Sequence, residues 1–226
     1  ILVCDEKHNP HSQLISCYGR HNCSGTLRKQ LEWQENNKNI VWARIVQYKI
    51  YHQYKLLKDL DSFQAELLKG YLTDVKPSDA SNREGHAAKV YFNVLFGLNF
   101  KRGDNIFINS ALNYGYSLIL SAFNREIVAQ GYLTQLGIAH KNEFNNFNFS
   151  CDLMEPYRII VDRFVFFNDE EGLTSDYKHS MLNILIRQIK IGGKTFFIKD
   201  AIALYTKSVI EALNTGDINV INNYEL

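Results

Sequence analysis

The sequence of 226 residues contains little proline, methionine or cysteine, with 3, 2 and 4 residues of each. So few prolines allow long, uninterrupted helices, because proline breaks a helix interior. No run approaches the roughly 20 consecutive apolar residues of a membrane span, and no segment is typical of a signal peptide. We therefore expect a helical, cytoplasmic protein without a membrane partner.

The sequence also lacks a strong net charge, which is +1 at pH 7. A nearly neutral chain has no global electrostatic attraction to nucleic acid, although a local basic surface remains compatible with it. Composition therefore neither supports nor excludes DNA binding. With 46% apolar residues, a chain of this length can bury a large core.

The cysteines occur at positions 4, 17, 23 and 151. The absence of CxxC spacing and of a secretory context favours reduced thiols over a disulfide framework. Cys17 and Cys23, with His11 and His21 nearby, are an alternative zinc set, but their spacing matches no familiar zinc module.

The chain begins with ILVCD, which has the composition of a strand, and without Met. We therefore expect the true N-terminus to be missing. Residues 5–25 are rich in turn-forming residues and predict a connector that contains the domain boundary. From residue 26 onward, apolar residues recur every three or four positions, as in helices.

The predicted fold is mainly α, a multi-helix domain with a small β-hairpin and a residual N-terminal strand. We predict helices over residues 26–36, 40–58, 61–70, 81–97, 105–136, 150–166, 174–190 and 199–214. The segment IKIGGKTFFI, residues 189–198, predicts the hairpin, because two glycines separate two strand-like runs. The polar tail after residue 214 is predicted to fray.

The stretch SNREGHAAKVYF, residues 81–92, has two interpretations. Ser81 followed three residues later by Glu84 is the pattern of a capping box at a helix N-terminus, and the motif alone favours this role. The Glu84 carboxylate could instead bind a metal ion. Gly85 costs about 1 kcal/mol relative to alanine in a helix, so we expect a close contact there.

The segment GIAHKNEFNNFNFSCDLMEPYR, residues 137–158, contains an imidazole and two carboxylates near helix ends. His140 is predicted just after one helix, and Asp152 and Glu155 share a face at the start of the next. Each could be structural, because acidic residues stabilise a helix N-terminus and a histidine can cap a helix. Together, Glu84, His140 and Glu155 are suitable ligands for Mg²⁺ or Mn²⁺.

The long apolar segment 108–133 predicts a central helix that packs closely on its neighbours. Its glycine, Gly115, and several small residues favour close packing. We expect Tyr114 and Tyr116 to belong to the core or to support the site rather than to react.

Helix 40–58 is predicted to have a basic face formed by Arg44, Lys55 and Lys58, with Tyr48 and Tyr51 between them. Such a face could follow a DNA backbone. The alternative is an ordinary solvated helix face.

Three motifs resemble those of a known family: NREGHAAKVYF, NYGYSLILSAFNREI followed by LGIAH, and DLMEPYR. They are similar to the CRISPR-associated integrase of the adaptation module in its type II form, and the resemblance extends to CDEKHNP and YGRH near the start. It implies that residues 1–25 are a remnant of an N-terminal β domain with its connector. Residues 26–226 are then the helical catalytic domain.

The resemblance also implies the site. Glu84, His140 and Glu155 correspond to the family's ligands for a catalytic Mg²⁺ or Mn²⁺ ion, and Asp152 corresponds to a secondary acidic position. Arg158 and, less closely, Lys89 correspond to positions suited to DNA phosphate.

The activity implied is metal-dependent insertion of short foreign DNA into a CRISPR repeat by 3′-hydroxyl attack on a phosphodiester, together with endonuclease activity. The implied partners are double-stranded DNA, both protospacer and repeat, a second copy in the full-length protein, and a small ferredoxin-like adaptation subunit. The alternative is a module that binds DNA or partners without catalysis in this truncated form.

Overall fold

The computed structural model describes residues 1–6, 10–14, 23–168, 170 and 172–225. The mainly helical fold class is confirmed. The α-helices are α1 (Cys23–Leu31), α2 (Glu35–Asp59), α3 (Ala65–Thr73), α4 (Arg83–Phe96), α5 (Phe107–Ala129), α6 (Asn148–Met154), α7 (Arg158–Phe167), α8 (Ser175–Leu182) and α9 (Ile198–Thr215). Short 3₁₀ turns cover Pro77–Asp79, Glu155–Tyr157, Asn183–Ile186 and Ile218–Val220. Across these ranges, no helix combines the length and the apolar character needed to cross a membrane.

Two small antiparallel sheets accompany the helices. β3 (Gln188–Ile191) pairs with β4 (Lys194–Phe197), and Gly192 and Gly193 adopt positive φ angles of 55° and 76° at the turn. The predicted hairpin is therefore confirmed. β1 (Leu2–Cys4) pairs with β2 (Pro10–Gln13), so residues 10–13 are not the connector that their turn-forming composition predicted. Cys17 and His21 of the alternative zinc set lie outside the described residues.

α5 is the central helix, as predicted, and packs on α6, α7 and α9. A Cβ added at Gly115 would lie 2.3 Å from Cγ1 of Val161 in α7, so only glycine permits this approach. Tyr116 is buried, in agreement with its predicted place in the core.

Several predicted helix bounds are wrong. α1 ends at Leu31 rather than at residue 36, and the Glu155–Tyr157 turn interrupts the helix predicted over residues 150–166. α5 ends at Ala129, seven residues early, because Gly131 takes a left-handed φ of 92° and the Tyr132 N–H donates to the Ile127 carbonyl. This is the hydrogen bond of a glycine-terminated helix. α8 ends at Leu182 rather than continuing to 190, because the following residues enter a 3₁₀ turn and then pair as strand β3.

The predicted fraying of the tail is also wrong. Tyr224 is 1% exposed, its ring stacks on His52 at 3.8 Å, and its hydroxyl donates to the Pro156 carbonyl at 2.8 Å. Glu225 forms two backbone hydrogen bonds with Lys190. The tail therefore packs against the Glu155–Tyr157 turn.

Candidate metal centre and nucleic-acid interface

The N-terminus of α4 is capped by Asp79, and the Glu84 side chain takes no part in the cap. The Asp79 carboxylate accepts from the backbone N–H groups of Arg83 at 2.8 Å and Glu84 at 3.0 Å. Ser81 instead donates its hydroxyl to the Asp74 carbonyl. The predicted capping box is therefore wrong, because the Asp79 carboxylate from the preceding 3₁₀ turn accepts the Glu84 N–H that a capping box would pair with the Ser81 side chain.

The close contact predicted at Gly85 is present. A Cβ there would lie 2.8 Å from Oδ1 of Asn82, the residue before α4. The neighbour is the end of a flexible side chain, so the constraint on position 85 is weaker than that on Gly115.

Lys49 joins two of the predicted metal ligands. Its Nζ lies 2.6 Å from Oε1 of Glu84 and 2.5 Å from Oε2 of Glu155. Its side chain is 12% exposed. Burial alone would lower the pKa of Lys49, but the two carboxylates outweigh it and raise that pKa.

Sequence reasoning missed Lys49, although a signal existed. Position 49 follows Trp42, Ile45 and Val46 by seven, four and three residues, so it lies on the face of α2 that these buried side chains occupy. A single cation on an apolar helix face must find a partner when it is buried.

Glu155 lies in the Glu155–Tyr157 turn with its side chain 4% exposed. Its second oxygen, Oε1, is 3.0 Å from Nη2 of Arg158. Burial would raise the pKa of Glu155, but Arg158 and Lys49 hold it below the usual value. The Arg158 guanidinium also lies 4.8 Å from the Tyr116 ring centroid, so here it supports Glu155 from a fixed position. Its contact with DNA phosphate stays a prediction.

His140 does not directly follow α5 as predicted, because that helix ends eleven residues earlier. The fully buried carboxylate of Asp152 positions it instead. Oδ1 accepts from the His140 backbone N–H at 3.0 Å and lies 2.6 Å from Nδ1, while Oδ2 accepts from the N–H groups of Ile138 and Ala139. The hydrogen bond from Asp152 raises the pKa of His140. With Nδ1 engaged, Nε2 is the nitrogen available to a ligand.

The three predicted ligands lie in one region. Glu84 and His140 line the same open cleft, with a volume of about 390 Å³. The charges of Glu155 and Glu84 further raise the pKa of His140. Among the residues that the structure describes, no group of three acidic, histidine or cysteine side chains is close enough together to hold a metal ion as it stands. The two carboxylates surround the Lys49 ammonium instead.

The donor chemistry fits a hard divalent cation. Two carboxylates from different elements share one positive charge, and one of them, Glu84, lines the same cleft as the His140 imidazole. Carboxylate oxygens with one imidazole suit Mg²⁺ or Mn²⁺. The arrangement can therefore hold a metal if the ammonium moves away.

The predicted basic face of α2 is only partly open. Lys55 and Lys58 are exposed, but Arg44 is half-buried and its guanidinium lies 5.7 Å from the Tyr48 ring centroid. Lys89, on α4, is exposed. The lysines are therefore the accessible part of the predicted DNA contact.

Comparison with known proteins is consistent with this geometry. The family model described as CRISPR associated protein Cas1 matches residues 1–188. The CRISPR-associated endonuclease Cas1 of Neisseria meningitidis serogroup C (strain 8013) is 34% identical over 202 residues, which are 87% of this chain and 66% of that protein. The chain thus spans just under two thirds of that relative's length.

Solved structures show the same fold. A casposase bound to integration product has a TM-score of 0.77 at 19% identity, covering 96% of this chain and 72% of the other. A Cas6-RT-Cas1–Cas2 complex has a TM-score of 0.78 at 17% identity, and the match covers 99% of this chain and 29% of the other.

Proposed function

Because this chain belongs to the CRISPR-associated Cas1 family, we propose that it is the catalytic part of a divalent-metal-dependent DNA integrase and endonuclease. One observation carries the proposal: the Lys49 Nζ lies 2.6 Å from Glu84 and 2.5 Å from Glu155, so the two carboxylates lie close together. His140, which Asp152 orients, lies in the same region. The reaction is attack of a 3′-hydroxyl of a short DNA on a phosphodiester of the CRISPR repeat, which releases a new 3′-hydroxyl.

Glu84, His140 and Glu155 would hold the metal, either Mg²⁺ or Mn²⁺. A bound divalent cation supplies positive charge that stabilises the growing negative charge on the phosphate. The chain's own residues prepare the site: Asp152 orients the imidazole, and Arg158 holds one oxygen of Glu155. Activity requires a neutral His140, so it should fall as the pH is lowered through that raised pKa.

We further propose double-stranded DNA as the partner, both protospacer and repeat. The solved complexes name an integration product and Cas2 for the related proteins, and this supports DNA and a small Cas2-type subunit as partners here. Homodimerisation, the type II assignment and the division at residue 25 belong to the same proposal. Lys55, Lys58 and Lys89 are the exposed cations best suited to DNA phosphate.

The test is Glu84→Gln. Glutamine keeps an oxygen that accepts from Lys49, and the cap of α4 comes from Asp79, so the metal-free melting temperature should stay near that of the unchanged protein. Loss of one anionic ligand should abolish Mn²⁺-dependent strand joining and the stabilisation by Mn²⁺. A variant that joins DNA at the original rate would exclude Glu84 as a ligand. DNA binding without joining in the unchanged chain would favour the non-catalytic module.

A further inference from the structure

We propose that Lys49 is a built-in counterion of the site: its ammonium holds Glu84 and Glu155 together in the metal-free protein, and a divalent cation must displace it to bind. The inference deepens the proposed function and depends on these carboxylates being metal ligands. It assigns to Lys49 a positioning role and control over metal affinity.

The first argument is electrostatic. Glu84 and Glu155 come from α4 and from the 3₁₀ turn before α7, yet both lie within 2.6 Å of one nitrogen. Two carboxylates this close repel each other when both are ionised. Lys49 removes that repulsion, so the ligands are already in place before a metal arrives.

The second argument is that Glu155 has both oxygens engaged. Oε2 faces Lys49 and Oε1 faces Arg158. A metal that binds Glu155 therefore comes close to at least one of these two cations. Like charges at short distance are unfavourable, so the metal and the ammonium do not share the position.

The third argument identifies Lys49 as the group that moves. The Arg158 guanidinium is held against the Tyr116 ring at 4.8 Å as well as by Glu155. Among the described residues, the Lys49 ammonium has only the two carboxylates as polar partners. A lysine ammonium lies at the end of a flexible four-carbon chain, while a stacked guanidinium is fixed in its plane. Displacement of the Lys49 ammonium therefore disturbs less of the structure than displacement of the Arg158 guanidinium would.

The experiment compares Mn²⁺ binding by calorimetry, and melting in chelator, for the unchanged chain and Lys49→Met. We expect Met to lower the melting temperature in chelator, because the carboxylates then repel each other, and to tighten the Kd for Mn²⁺ by roughly tenfold, equivalent to about 1.4 kcal/mol. Lys49→Arg keeps the positive charge, so it should not tighten the Kd for Mn²⁺, in contrast to Met. If Met does not fold, Lys49→Gln serves as the neutral variant with the same expectation.

Lys69→Met is the matched control. It removes a lysine paired with Glu66 at 3.6 Å on the surface of α3, and both properties should remain unchanged. A neutral variant at position 49 with unchanged or weaker Mn²⁺ affinity overturns the counterion role. If instead the unchanged chain binds no Mn²⁺ and Glu84→Gln makes no difference, the proposed function itself fails, and the two failures are thus distinguishable.

Discussion

The Nδ1 atom of His140 lies 2.6 Å from Oδ1 of Asp152, and the same carboxylate accepts three backbone N–H groups from residues 138–140. One buried side chain thus fixes both the position of the loop and the orientation of its imidazole. A histidine that must present Nε2 needs such a partner at Nδ1. We infer that Asp152 positions His140 rather than serving as a ligand of its own.

Asp152→Asn should destabilise the protein by about 3 kcal/mol, because an amide nitrogen would face N–H donors and each hydrogen bond to a charged group contributes about 1.5–3 kcal/mol. Urea unfolding measures the change. The control is Asp59→Asn, which removes an exposed carboxylate 3.2 Å from Arg163 and should alter stability by less than about 1 kcal/mol. Equal effects of the two changes would contradict the positioning role.

Burial of His52 against Tyr224 makes stability depend on acid pH. Burial lowers the pKa of His52 to about 4 from the usual 6.5, so the unfolded state binds a proton more readily than the folded state between these values. Stability should fall below pH 6.5, by about 2 kcal/mol at pH 5 from this residue. Urea unfolding at pH 7.5 and pH 5 measures the change. His52→Gln should reduce the difference between the two pH values by that amount; an unaltered difference would contradict the assignment.

Asp162 makes stability depend on pH in the opposite direction to His52. Burial raises the pKa of Asp162 to about 6, above its usual 3.8, and the Tyr116 hydroxyl donates to this carboxyl group. The folded state holds the proton more tightly, so stability from this group is lost as the pH rises from about 4 to above 6, by about 3 kcal/mol. Asp162→Asn keeps an acceptor for Tyr116 and should remove this loss. Unfolding free energies of both proteins at pH 4, 5, 6 and 7 test it; parallel curves would disprove the shift.

Lys55 and Lys58 should contribute to DNA affinity as the exposed cations of α2. Replacing both by Gln should weaken binding and reduce the slope of log K against log salt by roughly 2, about 0.9 for each phosphate that a lysine no longer neutralises. Fluorescence anisotropy with duplex DNA at several salt concentrations gives the slope. The control pair Lys199→Gln and Lys207→Gln changes two exposed lysines of α9 and should leave the slope unaltered.

Local periodicity predicts those elements whose determinants are local. It indicates helices over residues 40–58 and 81–97, and the structure has α2 at Glu35–Asp59 and α4 at Arg83–Phe96. The glycine pair at 192–193 predicts the hairpin because its positive φ angles suit a tight turn. Gly131 carries a similar signal for the end of α5, but the apolar pattern beyond it favours a longer helix.

The remaining features depend on contacts between distant segments. Tyr224 is buried by His52 and Pro156, which no pattern within the polar tail indicates. The cap of α4 comes from Asp79 rather than Ser81, because the preceding turn brings that carboxylate to the N–H groups of Arg83 and Glu84. Lys49 lies on the predicted helix, yet its two partners are known only from the tertiary structure.

Lys49 and its two carboxylate partners lie far apart along the chain, so the site exists only in the folded domain. Lys49 is 35 residues from Glu84 and 106 residues from Glu155. Bringing such distant segments together costs loop-closure entropy, which the packing of the whole domain must offset. A nascent chain that has not reached Glu155 has only part of the donor set. The proposed DNA chemistry therefore depends on the fold that brings the segments of Lys49, Glu84 and Glu155 together.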